Sequence, residues 1–336
     1  MKNEAPLFLA FEQEILPHPQ ESERFIAIGL HHTPPSEWRN FLDIIQPWRP
    51  DYLRLEKAGF KVFPQIGCKT LYDGGLLLLD KHRKRNENRF LQLLLTVRPG
   101  GLIVVCGDKT VGGASFRKWA SKTIAIENSL AKNHAVSFWL RVPDTLDENA
   151  IQTLQNPIVK TGAHFETAPG MFSHEKIDEG SALLAKCLPA KLKGNVADFG
   201  AGWGYLAAMA LQHIKGITAL DLYEADYEAL EAARNNLAAL HDTIPVSFYW
   251  QDLTIEQPDQ LYDTVISNPP FHQGRTADIT LGQAFIRAAA RSLNKQGQLL
   301  LVANRHLPYE AILHEQFTSV EQLETTKGFK VICART

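Results

Sequence analysis

The chain has 336 residues, 45% hydrophobic and 21% charged, with a formal net charge of −2. This composition is globular and excludes a disordered chain, and the charge balance excludes a globally basic nucleic-acid binder, so any contact with nucleic acid must use a local patch. Cys68, Cys106, Cys187 and Cys333 stand far apart with no CxxC pair, which argues against a zinc site and a secreted disulfide framework. The opening "MKNEAPLFLAFEQEILPHPQ" has no apolar core of signal length, and no stretch approaches a membrane span, so the expected location is the cytoplasm.

In chain order, "RFIAIGL" (24–30), "LLLLD" (76–80) and "GLIVVCG" (101–107) read as buried strands. "NRFLQLLLTV" (88–97) reads as a helix between the last two, and "RPGG" (98–101) as a turn. The basic segment "DKHRKRNENR" (80–89) is read as a loop at a strand end, either holding RNA phosphates or simply solvated. "RVPDTLDENAIQTLQNP" (141–157) is polar with two prolines and is the expected boundary, giving domains 1–150 and 158–336. Beyond it, strands are expected at "NVADFG" (195–200), "ITALDLYE" (217–224), "VSFYWQ" (246–251), "YDTVISN" (262–268), "GQLLLVAN" (297–304) and "FKVICAR" (329–335). Helices are expected at "YLAAMALQHI" (205–214), "YEALEAARNNLAAL" (227–240), "TLGQAFIRAAARSLN" (280–294) and "YEAILHEQF" (309–317). Strands alternating with helices imply a parallel sheet covered on both faces, with ligands bound beyond the carboxyl ends of the strands. The first half echoes this grammar, since "LLLLD…RPGGLIVVCG" parallels "TVISN…NKQGQLLLVAN", but it lacks a glycine-rich turn opening a helix.

"VADFGAGWGYLAAMA" (196–210) is a strand, a glycine turn and a helix. Gly200, Gly202 and Gly204 allow close backbone approach to a ligand at a helix N-terminus. The spacing fits neither the dinucleotide fingerprint nor a P-loop, because Tyr205 follows Gly204 and no Gly-Lys-Ser/Thr is present. Asp198 would repel a pyrophosphate but suits an ammonium group. Acid-x-Gly-x-Gly-x-Gly, here "DFGAGWG", resembles the class I S-adenosylmethionine-dependent methyltransferases. That resemblance implies a ribose-binding acid after the second strand. Glu224 is preferred, with Asp221 earlier in the strand and Asp226 as a helix cap. It also implies an adenine-binding Asp252 with the Leu253 amide nearby. Taken alone, an Asp after a strand is a turn residue.

The fourth strand ends "VISNPPFH" (265–272). At an exocyclic amine the lone pair is delocalised, and two acceptors on its N–H groups make the nitrogen more nucleophilic. The Asn268 oxygen and the Pro269 carbonyl suit that role, the two prolines fixing where the carbonyl points. Phe271 suits stacking on a base, and a loop residue such as His272 is read as solvated. The corner resembles the (Asp/Asn)-Pro-Pro-aromatic motif of amino-group methyltransferases. Together with "APGMFSHEKIDEGSALLAKCLP" (168–189), "NPPFHQG" and "GQLLLVANRHLPYEAIL", it resembles the ribosomal RNA guanine-N2 methyltransferases of the small-subunit methyltransferase C type.

The resemblance covers residues 158 to 336. It implies two tandem Rossmann-like methyltransferase folds, each a mostly parallel seven-stranded α/β sheet, with an N-terminal copy that has lost its cofactor site and helps bind RNA. It further implies S-adenosyl-L-methionine as cofactor, S-adenosyl-L-homocysteine as product, and ribosomal RNA or the small ribosomal subunit as partner. No metal, no membrane and a monomer are expected. Asn268 and Pro269 are the expected catalytic residues, Asn268 also facing the cofactor, with Pro270, Phe271 and Phe172 toward substrate. Trp203 and Tyr205 depart from the pattern, being bulkier than usual in the turn. Adenine N6, a protein glutamine, or a non-catalytic RNA-binding assembly role stay open as alternatives.

Overall fold

The computed structural model describes residues 5–67, 71–162, 165–188, 192, 194–213, 216–240, 244–270, 272–273, 276–277 and 279–336. The chain divides into two units, Met1–Pro157 and Ile158–Thr336.

In the first unit, helix α1 (Ala5–Glu12) buries Leu7, Phe8 and Phe11 in a core that includes Trp38. Strands β1 (Phe25–Ile28), β2 (Leu42–Ile45), β3 (Lys61–Phe63), β4 (Tyr72–Leu78), β5 (Val97–Asp108), β6 (Asn128–Lys132) and β7 (Ala135–Arg141) form one sheet in the order β3-β2-β1-β4-β5-β7-β6. Ile26, Ala27, Ile28, Leu76 and Leu77 are buried without alternation, because helices cover both faces of a parallel sheet. Those helices are α2 (Arg49–Lys57), α3 (Arg83–Thr96), α4 (Gly113–Ala120) and α5 (Glu148–Leu154). Helix α5 lies in the segment read as a polar boundary. Asp147 caps it by accepting from the Ala150 N–H at 2.7 Å, and Leu154 buries itself in the first unit's core, so that unit runs to Pro157 rather than 150.

The reading of 80–89 as a basic loop is corrected. Arg83 begins α3, and most of the cations are tied within the unit. Asp80 takes Arg85 at 2.6 Å and the buried Arg89 at 3.1 Å, while Arg83 pairs with Glu87 at 2.6 Å and lies over the rings of Phe116 and Trp119. Burial pushes the Asp80 carboxyl up, but the two guanidiniums outweigh it and hold the carboxyl below its usual range. Lys81 and Lys84 remain exposed. Position 80 follows the fourth strand of its sheet, so in this unit the corner corresponding to Asn-Pro-Pro-Phe is filled by an ion-paired acid. Asp80→Ala is expected to destabilise this unit by about 3 kcal/mol, because it removes the carboxylate partner of a buried guanidinium; urea unfolding checks this.

The second unit opens with the hairpin β8 (Val159–Thr161) and β9 (Phe165–Thr167), then α6 (Glu179–Cys187). Its strands are β10 (Gly194–Phe199), β11 (Ile217–Glu224), β12 (Val246–Trp250), β13 (Tyr262–Ser267), the short pair β14 (His272–Gln273) and β15 (Thr276–Ala277), β16 (Leu293–Asn304), β17 (Ser319–Thr325) and β18 (Phe329–Arg335). The main sheet runs β12-β11-β10-β13-β16-β18-β17, the order of the first unit repeated. Helices α7 (Tyr205–His213), α8 (Tyr227–Leu237), α9 (Ile279–Arg291) and α10 (Glu310–Gln316) connect its strands. In register, Phe199 lies beside Ser267 and Tyr223, and Glu224 beside Trp250. The carboxyl ends of β13, β10, β11 and β12 therefore lie side by side along one edge. The Ser267 hydroxyl donates to the Phe199 carbonyl at 2.7 Å and clamps the two central ends together.

Candidate active site

The glycine turn and the Asn268 corner share one cleft, open to solvent. Gly200, Gly202, Trp203 and Tyr205 form one side of it, and Phe172, Asp178, Ser181 and Asn268 another. The three glycines have φ of +75°, +55° and +89°. Their roles differ. A Cβ at Gly202 would meet no atom of the described residues within 4 Å, so this position opens onto space for a ligand. A Cβ at Gly204 would meet Ala233 Cβ at 3.1 Å, so this glycine serves the close approach of α7 to α8.

Asp198 is fully buried at the end of β10. Its Oδ2 accepts from the Ala207 N–H at 3.1 Å, whereas Oδ1 is buried with no hydrogen-bond partner among the described residues. Burial pushes this carboxyl up to about 8, against the Ala207 N–H and with help from nearby Glu224. A buried carboxylate oxygen without a donor is costly unless a ligand supplies one.

Of the three acids in and just after β11, Asp221 lies within the strand and is buried. It accepts from the Tyr262 hydroxyl at 2.7 Å and from Gln260, and Tyr262 in turn meets Tyr223 at 2.6 Å. Asp226 caps α8, accepting from the Glu228 N–H. Glu224 is the acid at the strand end. Its Oε2 accepts from the Gly202 N–H at 2.8 Å and its Oε1 from the Asp226 N–H at 2.9 Å. Burial raises its carboxyl, against the N–H groups of Asp226, Gly202 and Ala225. Glu224 thus holds the glycine turn in place, a role its spacing did not reveal.

Asp252 and Leu253 follow β12 but do not line the cleft. Asp252 Oδ1 caps its own turn, accepting from the Thr254 N–H at 3.0 Å and the Thr254 hydroxyl at 2.6 Å. The Leu253 side chain is buried in the core with Phe199 and Tyr223.

Asn268 follows β13, half-buried, with Pro269 buried and Pro270 exposed. Pro270 confines Pro269 to extended backbone, so the Pro269 carbonyl has one direction. Phe271 lies outside the described residues. Phe172 is 65% exposed at the cleft, and its carbonyl accepts from the Trp203 indole N–H at 2.9 Å. The bulky Trp203 therefore ties the glycine turn to the segment before α6. It packs with Phe165 and Tyr205, and its own carbonyl accepts from Asn236. Three groups that the sequence reading missed support the site: Asp178 and Ser181 line the cleft, and Asn236 holds the Trp203 carbonyl from outside it. The Asn268 Nδ2 donates to Asp178 at 2.9 Å and to Ser181 at 2.7 Å.

These residues fit S-adenosyl-L-methionine. The unpartnered Asp198 oxygen suits its ammonium, the open face of Gly202 admits it, and Glu224 stands at the next strand end.

The methyltransferase small domain family matches residues 162–333. The ribosomal RNA small subunit methyltransferase C of Shewanella pealeana is 31% identical, over 98% of this chain and 94% of its own. The protein of the same name from Klebsiella pneumoniae is 33% identical, over 79% of this chain and 75% of its own. Among solved structures, the T. thermophilus 16S rRNA N2 G1207 methyltransferase in complex with AdoMet and guanosine has the same fold, with a TM-score of 0.77 at 22% identity over 98% of this chain and 92% of that one. A family match across the unit that carries the cleft, joined to a relative matched over almost the whole length and another over about four-fifths of this chain, places this chain in the ribosomal RNA small subunit methyltransferase C family.

Proposed function

We propose that this protein transfers a methyl group from S-adenosyl-L-methionine to the exocyclic N2 amine of a guanine in small-subunit ribosomal RNA, in the cytoplasm. The observation that carries this reading is the cleft itself, where Asn268 faces the same space as Gly200 and Gly202 of the glycine turn. Asp198, Gly200, Gly202, Gly204 and Glu224 would hold the cofactor, with Asp252 and Leu253 toward its adenine. When bound, the cofactor supplies an electrophilic methyl on a sulfonium.

The protein's own task is to make the amine a better nucleophile and to aim it. The Asn268 oxygen and the Pro269 carbonyl accept its two N–H groups and draw the lone pair out of conjugation. Neither group is basic enough to take the proton, which leaves the methylated nitrogen for water. Phe172 offers a flat apolar surface beside the acceptor. A guanine within a helix would first be turned out of the stack. The first unit retains the fold with its corner filled by Asp80, and it serves RNA binding rather than chemistry.

Labelled methyl transfer to small subunits and to their RNA, taken from cells lacking this protein, tests the reading. Label is expected in the RNA fraction, at one site per subunit. Label in protein would favour a glutamine acceptor, and no label would favour a non-catalytic assembly role.

A further inference from the structure

A primary amide offers two N–H donors on nitrogen and only acceptor sites on oxygen. The Asn268 Nδ2 lies 2.9 Å from Asp178 Oδ2 and 2.7 Å from Ser181 Oγ, so both of its donors are engaged inside the protein. A carboxylate only accepts, so Asp178 can face the nitrogen of that amide and not its oxygen. We infer that Asp178 and Ser181 are positioning residues that fix the orientation of the Asn268 amide, so that its oxygen alone is offered to the substrate amine; this rests on the role proposed for Asn268.

The pair is itself held firmly. Asp178 is the N-cap of α6, and the same Oδ2 accepts from the Ser181 N–H at 2.8 Å. Ser181 is buried, and α6 packs on α7, β16 and β18. Gly180 gives the carboxylate room, since a Cβ there would already meet Asp178 Oδ2 at 3.0 Å and the Phe329 ring at 3.0 Å. One N-cap therefore serves two ends, starting a helix and orienting an amide from a strand far along the chain. Without this contact the amide could turn over and present an N–H to an amine that also carries N–H groups. Two donors would then face each other and the substrate would lose an acceptor. The same contact explains why position 268 carries Asn here. An Asp in its place would set two carboxylates about 3 Å apart, an arrangement in which both cannot stay ionised without strain.

The test is steady-state methyl transfer to small subunits from cells lacking the protein, with cofactor affinity and melting temperature measured on each variant. Asn268→Asp is expected to lower kcat by about 100-fold, a loss typical of a displaced reacting group, with little change in KM for the subunit. Asp178→Asn keeps an oxygen that accepts from both the Ser181 N–H and the Asn268 nitrogen, so it is expected to hold kcat within about tenfold of the parent, whereas Asp178→Ala, which removes that acceptor, is expected to lower kcat by about 100-fold. Ser181→Ala, which keeps the cap, is expected to lower kcat several-fold without moving cofactor affinity. An unaltered kcat in both Asp178→Ala and Ser181→Ala would overturn the inference. Near-parental turnover in Asn268→Ala would instead overturn the role of Asn268 itself, which separates the two failures.

Discussion

Replacing Asn268 by Ala is expected to lower kcat by about 10²–10³-fold, the loss found when one group aimed at developing charge is removed. Cofactor affinity is expected to stay within about threefold, because a contact made only in the transition state is absent from the ground-state complex. The split follows from where the residue sits. Asn268 stands at the end of β13, whereas the open glycine face and the unpartnered Asp198 oxygen belong to the end of β10. Rapid-quench methyl transfer with calorimetry of S-adenosyl-L-homocysteine binding reads both quantities. The variant should fold normally, because Asp178 keeps its cap to the Ser181 N–H without Asn268.

Asp198→Asn is expected to act in the opposite sense, on binding and on stability. Removing one partner of a buried charge pair costs about 3 kcal/mol, which is roughly a 100-fold loss of cofactor affinity. The free protein is expected to gain stability. Asp198 has a carboxyl raised from 3.8 to about 8 in the folded state. Between those values the folded chain holds more protons than the unfolded one, so stability falls as pH rises through that window and the penalty is complete above it. Glu224, raised in the same direction, adds to the slope in both proteins and cancels in the comparison. The Asn variant lacks the Asp198 contribution. Its melting temperature without cofactor should exceed the parent's at pH 8, and the gap should shrink toward pH 5. A variant destabilised equally at both pH values would show that the buried oxygen is not held for a ligand.

The features legible in the sequence are those whose chemistry is local. The glycine turn, Asp198 and the Asn-Pro-Pro corner each sit within a few residues, where φ freedom, ring constraint and strand ends leave a pattern. Glu224 was preferred over Asp221 because the apolar run ends there. What fixed Asp221 in the interior, a hydrogen bond to Tyr262 from 41 residues away, leaves no periodic trace. Asp178 and Ser181 were hidden for the same reason, since their contacts to Asn268 span 90 and 87 residues. Asp178 carried one local signal, an N-cap acid ahead of an apolar helix, but that signal reports a helix start and nothing about catalysis. The segment 80–89 misled because a run of cations looks solvated when its partner acid lies across a corner of the fold. Helix α5 was missed because a polar, proline-flanked stretch resembles a linker, although Asp147 followed by Glu148 already marked a cap. The repeated strand order was visible as an echo between the halves, and the filled corner at Asp80 was not.

The most direct test is the identity of the methylated nucleoside. Small subunits from cells lacking this protein are incubated with it and labelled S-adenosyl-L-methionine, and their RNA is digested and resolved by chromatography with mass spectrometry. The account expects label in N2-methylguanosine at a single position of the small-subunit RNA, lost with Asn268→Ala. Label in N6-methyladenosine, or in N2-methylguanosine at an undiminished rate with that variant, would contradict it.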